Sequence, residues 1–136
     1  MNNSTIKYLL AGLLILLALQ TRADDYDDAL AVLTNKDYSS AYRAFKRLAK
    51  RDHAEAQFQL GMLYLFGKGV DQDAQKGISW LKQAAEGYSY MAANELGQIY
   101  LAGQWVKPDE TEAIKWIELS SAIAAENEGE ADDGCE

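Results

Sequence analysis

Leu60-Gly61-Met62-Leu63-Tyr64-Leu65-Phe66-Gly67-Lys68-Gly69-Val70 is the stretch that decides the fold, because its skeleton returns further along the chain. Leu96-Gly97, Tyr100, Gly103 and Val106 repeat it at an offset of 36 residues, from position 60 to position 96. The register then continues outward, with Asp73 matched by Asp109, Ile78 by Ile114 and Trp80 by Trp116. Shared Gly and Trp positions at one fixed offset are hard to reach by chance, and a period of this size marks stacked helical hairpins.

Each copy reads as two helices. Ala56, Leu60, Leu63 and Tyr64 fall on one face of a helix over 56–66. Gly61 lies inside that helix, where glycine costs about 1 kcal/mol relative to alanine. Gly61 and Gly97 are therefore expected at tight crossings within each hairpin. Gly67 is expected to end the first helix in the left-handed conformation, and Val70 and Val106 to plug the loops. Asp73 and Asp109 read as N-caps, and Asp52 with Glu55 and Asp109 with Glu112 read as capping boxes. Ile78, Leu81 and Ala85 give the second helix its buried stripe, Trp80 its large packing residue, and Gly87 its end. Before these copies, Ala29–Leu33 reads as a short helix, Asn35-Lys36-Asp37 as a turn, and 38–51 as a helix with Ala41, Phe45, Leu48 and Ala49 on its apolar face. A last helix is expected over 110–125.

The ends carry different signals. Residues 1–7 are polar and finish on Lys7, Tyr8–Leu19 is unbroken apolar sequence, and Gln20-Thr21-Arg22-Ala23 is polar and ends small. That order is that of a secretory signal peptide, with cleavage expected between Ala23 and Asp24. The competing reading is an uncleaved anchor, although the run is short of the roughly 20 residues of a membrane span. Loss of Lys7 and Arg22 would leave 11 basic against 21 acidic residues, a net charge of −10 where the whole chain carries −8. Such an acidic chain is a poor nucleic-acid binder, because phosphate contacts need a dense basic surface. Residues 126–136 hold six acids and no apolar period, and read as a disordered tail. Cys135 lies in that tail as the sole cysteine, so it forms no internal disulfide. It is either an incidental thiol or a link between chains.

The two copies resemble the Sel-one-like repeat family, which is related to tetratricopeptide repeats. The first copy carries Ala56, Leu60-Gly61, Tyr64, Gly67, Gly69-Val70, Asp73, Trp80, Ala84-Ala85 and Gly87. The second carries Ala92, Leu96-Gly97, Tyr100, Gly103, Val106, Asp109, Ala113 and Trp116. There are departures from the pattern. Gly77 stands where the family has alanine, which is expected to loosen its helix. Trp105 replaces the second loop glycine, and is expected to fold onto the core or to sit exposed as a contact. Ser120-Ser121 replaces an alanine pair and Ile123 a closing glycine, as suits a terminal cap. The resemblance implies an all-α, right-handed α-solenoid of about two and a half to three helix-turn-helix repeats. Its divisions are a signal peptide (1–23), an N-terminal capping half-repeat (24–52), a first repeat (53–87), a second repeat with a capping helix (88–125) and the tail (126–136). The function it implies is that of a protein-interaction scaffold, here exported and periplasmic or secreted, with a bacterial periplasm as the leading location.

Candidate binding residues follow from the repeat. In related repeats the first helix of each hairpin lines a concave groove. That places Glu55, Phe58, Met62, Leu65 and Phe66 of the first copy near the groove, with Met91, Asn94, Gln98 and Leu101 of the second. Apolar members such as Phe58, Met62 and Met91 suit a partner helix or peptide, and equally suit inter-repeat core. A second candidate is the basic stripe Arg43, Lys46, Arg47, Lys50 and Arg51, spaced along one helix face. It is either a dock for an anionic partner or surface, or a solvated outer face with cations near a helix C-terminus. The acidic tail folding onto it, in the same or a second copy, is a third possibility. Catalysis finds little in the sequence. His53 is the sole histidine, no second ligand is spaced for a metal, and no phosphate cradle or nucleophile motif is present. No cofactor is expected, and Glu55 with Glu95 is the one carboxylate pair that an envelope glycan-acting enzyme would use.

Overall fold

The computed structural model describes residues 3–129, with side chains described at 4–15 and 25–129. Six helices follow in order among these residues: α1 (Asn3–Thr34), α2 (Tyr38–Ala49), α3 (Ala54–Phe66), α4 (Ala74–Glu86), α5 (Tyr90–Ala102) and α6 (Glu110–Gly129). Helix α1 packs on α2, α3 on α4, and α5 on α6, while α2–α3 and α4–α5 contacts stack the three hairpins. The result is an α-solenoid of stacked helical repeats. Among the described residues no helix is long and apolar enough to cross a membrane.

Some boundaries differ from the sequence reading. The short helix at Ala29–Leu33 is the end of the longer α1. Helix α2 stops at Ala49, because the chain turns through Asp52 at φ 57°. Helix α6 runs on to Gly129, so the first residues of the acidic tail are helical. The remaining residues 130–136, Cys135 among them, lie outside the described residues.

Helix starts are built from side-chain caps that accept orphan backbone N–H groups. Asp37, Asp73 and Asp109 accept from the amides of Ser40, Lys76 and Glu112 at 3.0 to 3.1 Å. At α3 the expected Asp52–Glu55 box is replaced by His53, whose Nδ1 accepts from the Ala56 amide at 3.2 Å. Asp52 is instead the left-handed residue just before the cap, a place where Asp carries little steric cost. The next repeat uses the same device, with Tyr88 left-handed and Ser89 capping α5. The ring of His53 also stacks on Tyr26 at 4.7 Å, and Tyr26 meets Phe45 edge-on. Together with buried Ala29, these contacts tie the end of α1 to the first stack.

The crossing within the first hairpin depends on two glycines rather than one. A Cβ on Gly61 would lie 2.9 Å from the Gly77 carbonyl oxygen, and one on Gly77 would lie 2.9 Å from that of Gly61. Gly77 therefore does not merely loosen α4. It lets the backbones of α3 and α4 meet, and contact between close-packed backbones offsets its poor helix propensity.

Two tyrosines join α2 to α3. Their hydroxyls lie 2.9 Å apart, and Lys46 donates to that of Tyr42 at 3.1 Å. Burial, and then the hydrogen bond and charge of Tyr42, push Tyr64 up to about 12. The bond from Tyr64, and then Lys46, hold Tyr42 below the usual phenol value. Tyr42 is thus expected to ionise first and to keep Tyr64 protonated. In alkaline titration of phenolate absorbance, Tyr64→Phe should remove the highest step and move Tyr42 back up. A titration curve whose last step is unchanged in Tyr64→Phe would contradict the assignment.

Candidate partner-binding groove

Phe58, Met62 and Phe66 follow one another at four-residue spacing along α3, so they form a single row. Leu33 at the end of α1 and Tyr38 at the start of α2 face this row. The five side chains wall a cavity of about 310 Å³, with Gln59 and Lys68 at its polar edge. Phe58 forms the floor and is 6 % exposed, while Phe66 stands at the mouth and is 50 % exposed. Met62 is half-buried between them. Lys68 Nζ lies 5.3 Å from the Tyr38 ring centroid and 5.6 Å from that of Phe66. Trp105, from the loop between α5 and α6, meets Phe66 in a T-shaped contact at 5.2 Å. Trp105 is half-buried and packs against the core, the first of its two expected placements.

The other expected groove residues separate. Leu65 has no exposed surface and is core, not lining. It and Phe58 share one cluster with Ala92, Ala93, Leu96 and Ile99, because the α5/α6 hairpin stacks over them. One period later no described residue stacks beyond α6, and the matching Leu101 is 50 % exposed. Met91 and Gln98 are exposed on α5 and Asn94 is half-buried, but none of them lines the cavity. Glu55 is half-buried in the first turn of α3, and Glu95 is half-buried on α5. The structure therefore gathers Phe58, Met62 and Phe66 and adds Leu33, Tyr38 and Lys68, which the sequence reading missed. Lys68 could have been noticed as the cation between the two loop glycines. Leu33 and Tyr38 reach the cavity only through packing of the first hairpin, and no local pattern marks them.

The basic stripe does not form one continuous face. Arg43, Lys46 and Arg47 lie on α2, but Lys50 and Arg51 follow its end. Arg51 pairs with Asp25 at 3.3 Å. Arg43 and Arg47 line a depression shared with Asp25 and Asp28 of α1. Lys46 turns away, toward the Tyr42 hydroxyl and ring. Among the described residues no group of three or more His, Cys, Asp or Glu side chains is placed to hold a metal.

Comparison with known proteins agrees with this architecture. A family model described as Sel1 repeat matches residues 54–89 and 91–122, together half of the chain. A Sel1 repeat protein from Oxalobacter formigenes of known crystal structure is 33 % identical, with a TM-score of 0.59 over 62 % of this chain and 35 % of that one. A protective antigen of uropathogenic Escherichia coli strains, displaying an SLR fold, is 26 % identical, with a TM-score of 0.67 over 85 % of this chain and 26 % of that one. The chain thus spans about a third or less of the length of these two proteins. Sel1 repeat proteins are generally scaffolds for protein–protein interaction and typically not enzymes. With both copies matched and the hairpins stacked as in these structures, the chain belongs to the Sel1 repeat family.

Proposed function

We propose that this protein is an exported, non-catalytic adaptor that binds a protein partner along the groove face of α3 and α5. The observation that carries the reading is the row Phe58, Met62 and Phe66, which opens onto an apolar cavity and leaves Phe66 half exposed. Exposed aromatic anchors beside a pocket are what interface hot spots are made of. His53, the sole histidine and the first choice for proton transfer, is taken up as a helix cap. Export is supported by the charged, apolar and small-residue order of residues 1–23. The expected cut after Ala23 also falls just ahead of Asp25, which pairs with Arg51, so cleavage would spare the docked end of α1. In a bacterium the compartment this reading implies is the periplasm.

The test is a pull-down from cell-envelope extract, comparing the protein with a Met62→Gln/Phe66→Ala variant of unchanged circular dichroism. The variant is expected to retain its specific partner about tenfold less well, the size of effect a hot-spot pair carries. Retention by the parent should survive a rise in salt, because screening acts on exposed charges and not on apolar burial. Equal retention by both proteins would remove the groove as the binding face. A steep loss with salt would move attention to Arg43 and Arg47.

A further inference from the structure

We propose that the cavity at Phe58, Met62 and Phe66 is an anchor pocket for one bulky apolar side chain of the partner, and that Lys68 selects a segment carrying a carboxylate beside that side chain. This rests on the groove reading and sharpens it.

The repeat itself supplies a control. At positions one period after 58, 62, 66 and 68 the chain has Asn94, Gln98, Ala102 and Gln104. The second copy thus builds the same helix and loop without an aromatic at the helix end or a cation in the loop, so the hairpin itself does not require Phe66 or Lys68, whereas Phe58 is core where the next hairpin stacks. The volume of about 310 Å³ is at the low end of ligand pockets, which run from about 300 to 1,000 Å³. That suits one or two side chains rather than a whole helix.

Lys68 supplies the charge selection. Among the described residues it has no carboxylate partner, and the faces of Tyr38 and Phe66 hold its ammonium at the cavity mouth. In a chain of net charge −8, a cation set against an apolar cavity is a local attractor for a carboxylate. Trp105 fixes the mouth further. It holds φ 65°, a left-handed conformation in a bulky residue, where the first copy has Gly69. Strain of that kind clusters at binding sites, and here the indole stands perpendicular to the Phe66 ring. Residues 126–136 offer carboxylates but no bulky apolar side chain, so their composition does not match the occupant proposed.

The probe is 4-phenylbutyrate, an aromatic ring and a carboxylate on a short tether, compared with its neutral amide. The readout is methyl NMR of the full chain labelled at methionine. Met62 reports the cavity, and Met91, outside it on α5, is the control. The acid is expected to shift Met62 and not Met91, and to bind about fivefold more tightly than the amide, the scale of an exposed ion pair. Lys68→Gln should reduce the acid to the affinity of the amide, and Lys68→Arg should preserve the preference. Equal affinity of acid and amide, or a preference that survives Lys68→Gln, overturns the carboxylate selection. An unmoved Met62 with both compounds overturns the pocket. Either failure leaves the adaptor reading intact if the pull-down still separates the parent from Met62→Gln/Phe66→Ala.

Discussion

Phe58→Ala is expected to lower the free energy of unfolding by about 3–5 kcal/mol, whereas Phe66→Ala should change it by less than about 1 kcal/mol. The two phenylalanines are two turns apart on one row of α3 and line the same cavity. They differ in what lies behind them. Phe58 is packed into the cluster with Leu65, Leu81, Ala93 and Leu96, and its removal leaves a hole between α3 and the next hairpin. Phe66 is at the end of its helix with half its surface free. A domain of this size has about 5–15 kcal/mol to lose, so Phe58→Ala would spend a large part of it. Urea denaturation of the two variants decides the matter. Similar midpoints would mean that the hairpins do not stack over Phe58. For the same reason a binding defect in Phe58→Ala would mix unfolding with recognition, and the informative pair for binding is Met62 and Phe66.

Much of this was legible beforehand, for a definite reason. Capping by Asp73 and Asp109, the glycine crossing at Gly61 and the apolar stripes are local, so spacing along one chain reports them. Period-matched residues also have matched backbones, which is why Gly67 and Gly103 both close their helices in the left-handed region. What the repeat could not report is which faces another described hairpin covers. Leu65 and Leu101 hold the same place in their copies, yet the first is fully covered and the second half exposed, because among the described residues a further hairpin stacks only over the first. The cavity was hidden for a related reason, since Leu33 and Tyr38 come from the first hairpin, which has no matching copy. The stripe from Arg43 to Arg51 is divided by contacts that spacing does not report, since Arg51 pairs with Asp25 and Lys46 turns to Tyr42. Lys50 still holds helical backbone as the C-cap, and the chain leaves the helix from Arg51 into left-handed Asp52.

Gly69→Ala should be the most damaging single methyl that can be added to a loop of this protein, at about 3 kcal/mol or more. Two costs combine. Gly69 holds φ 72°, and an L-residue there costs about 1–2 kcal/mol. The added Cβ would also run into the Tyr38 carbonyl and stand 2.9 Å from the Ser39 amide nitrogen. These are backbone atoms in the first turn of α2, and they yield only if α2 shifts against α3, so overpacking adds about 1–3 kcal/mol. The period-matched change in the second copy acts on the backbone in the opposite sense. Trp105 already holds φ 65°, and Trp105→Gly would relieve about 1–2 kcal/mol of backbone cost while losing the edge contact with Phe66, worth about 0.5–1.5 kcal/mol. The half-buried indole also packs against the core, so lost burial adds about 1–2 kcal/mol and the net change should be a modest loss, smaller than that of Gly69→Ala. Urea midpoints for the two variants give the comparison directly. A mild effect of Gly69→Ala would mean that the loop is not seated on α2. A large loss in Trp105→Gly would make that indole a pillar of the core, and its left-handed backbone would then need no explanation from binding.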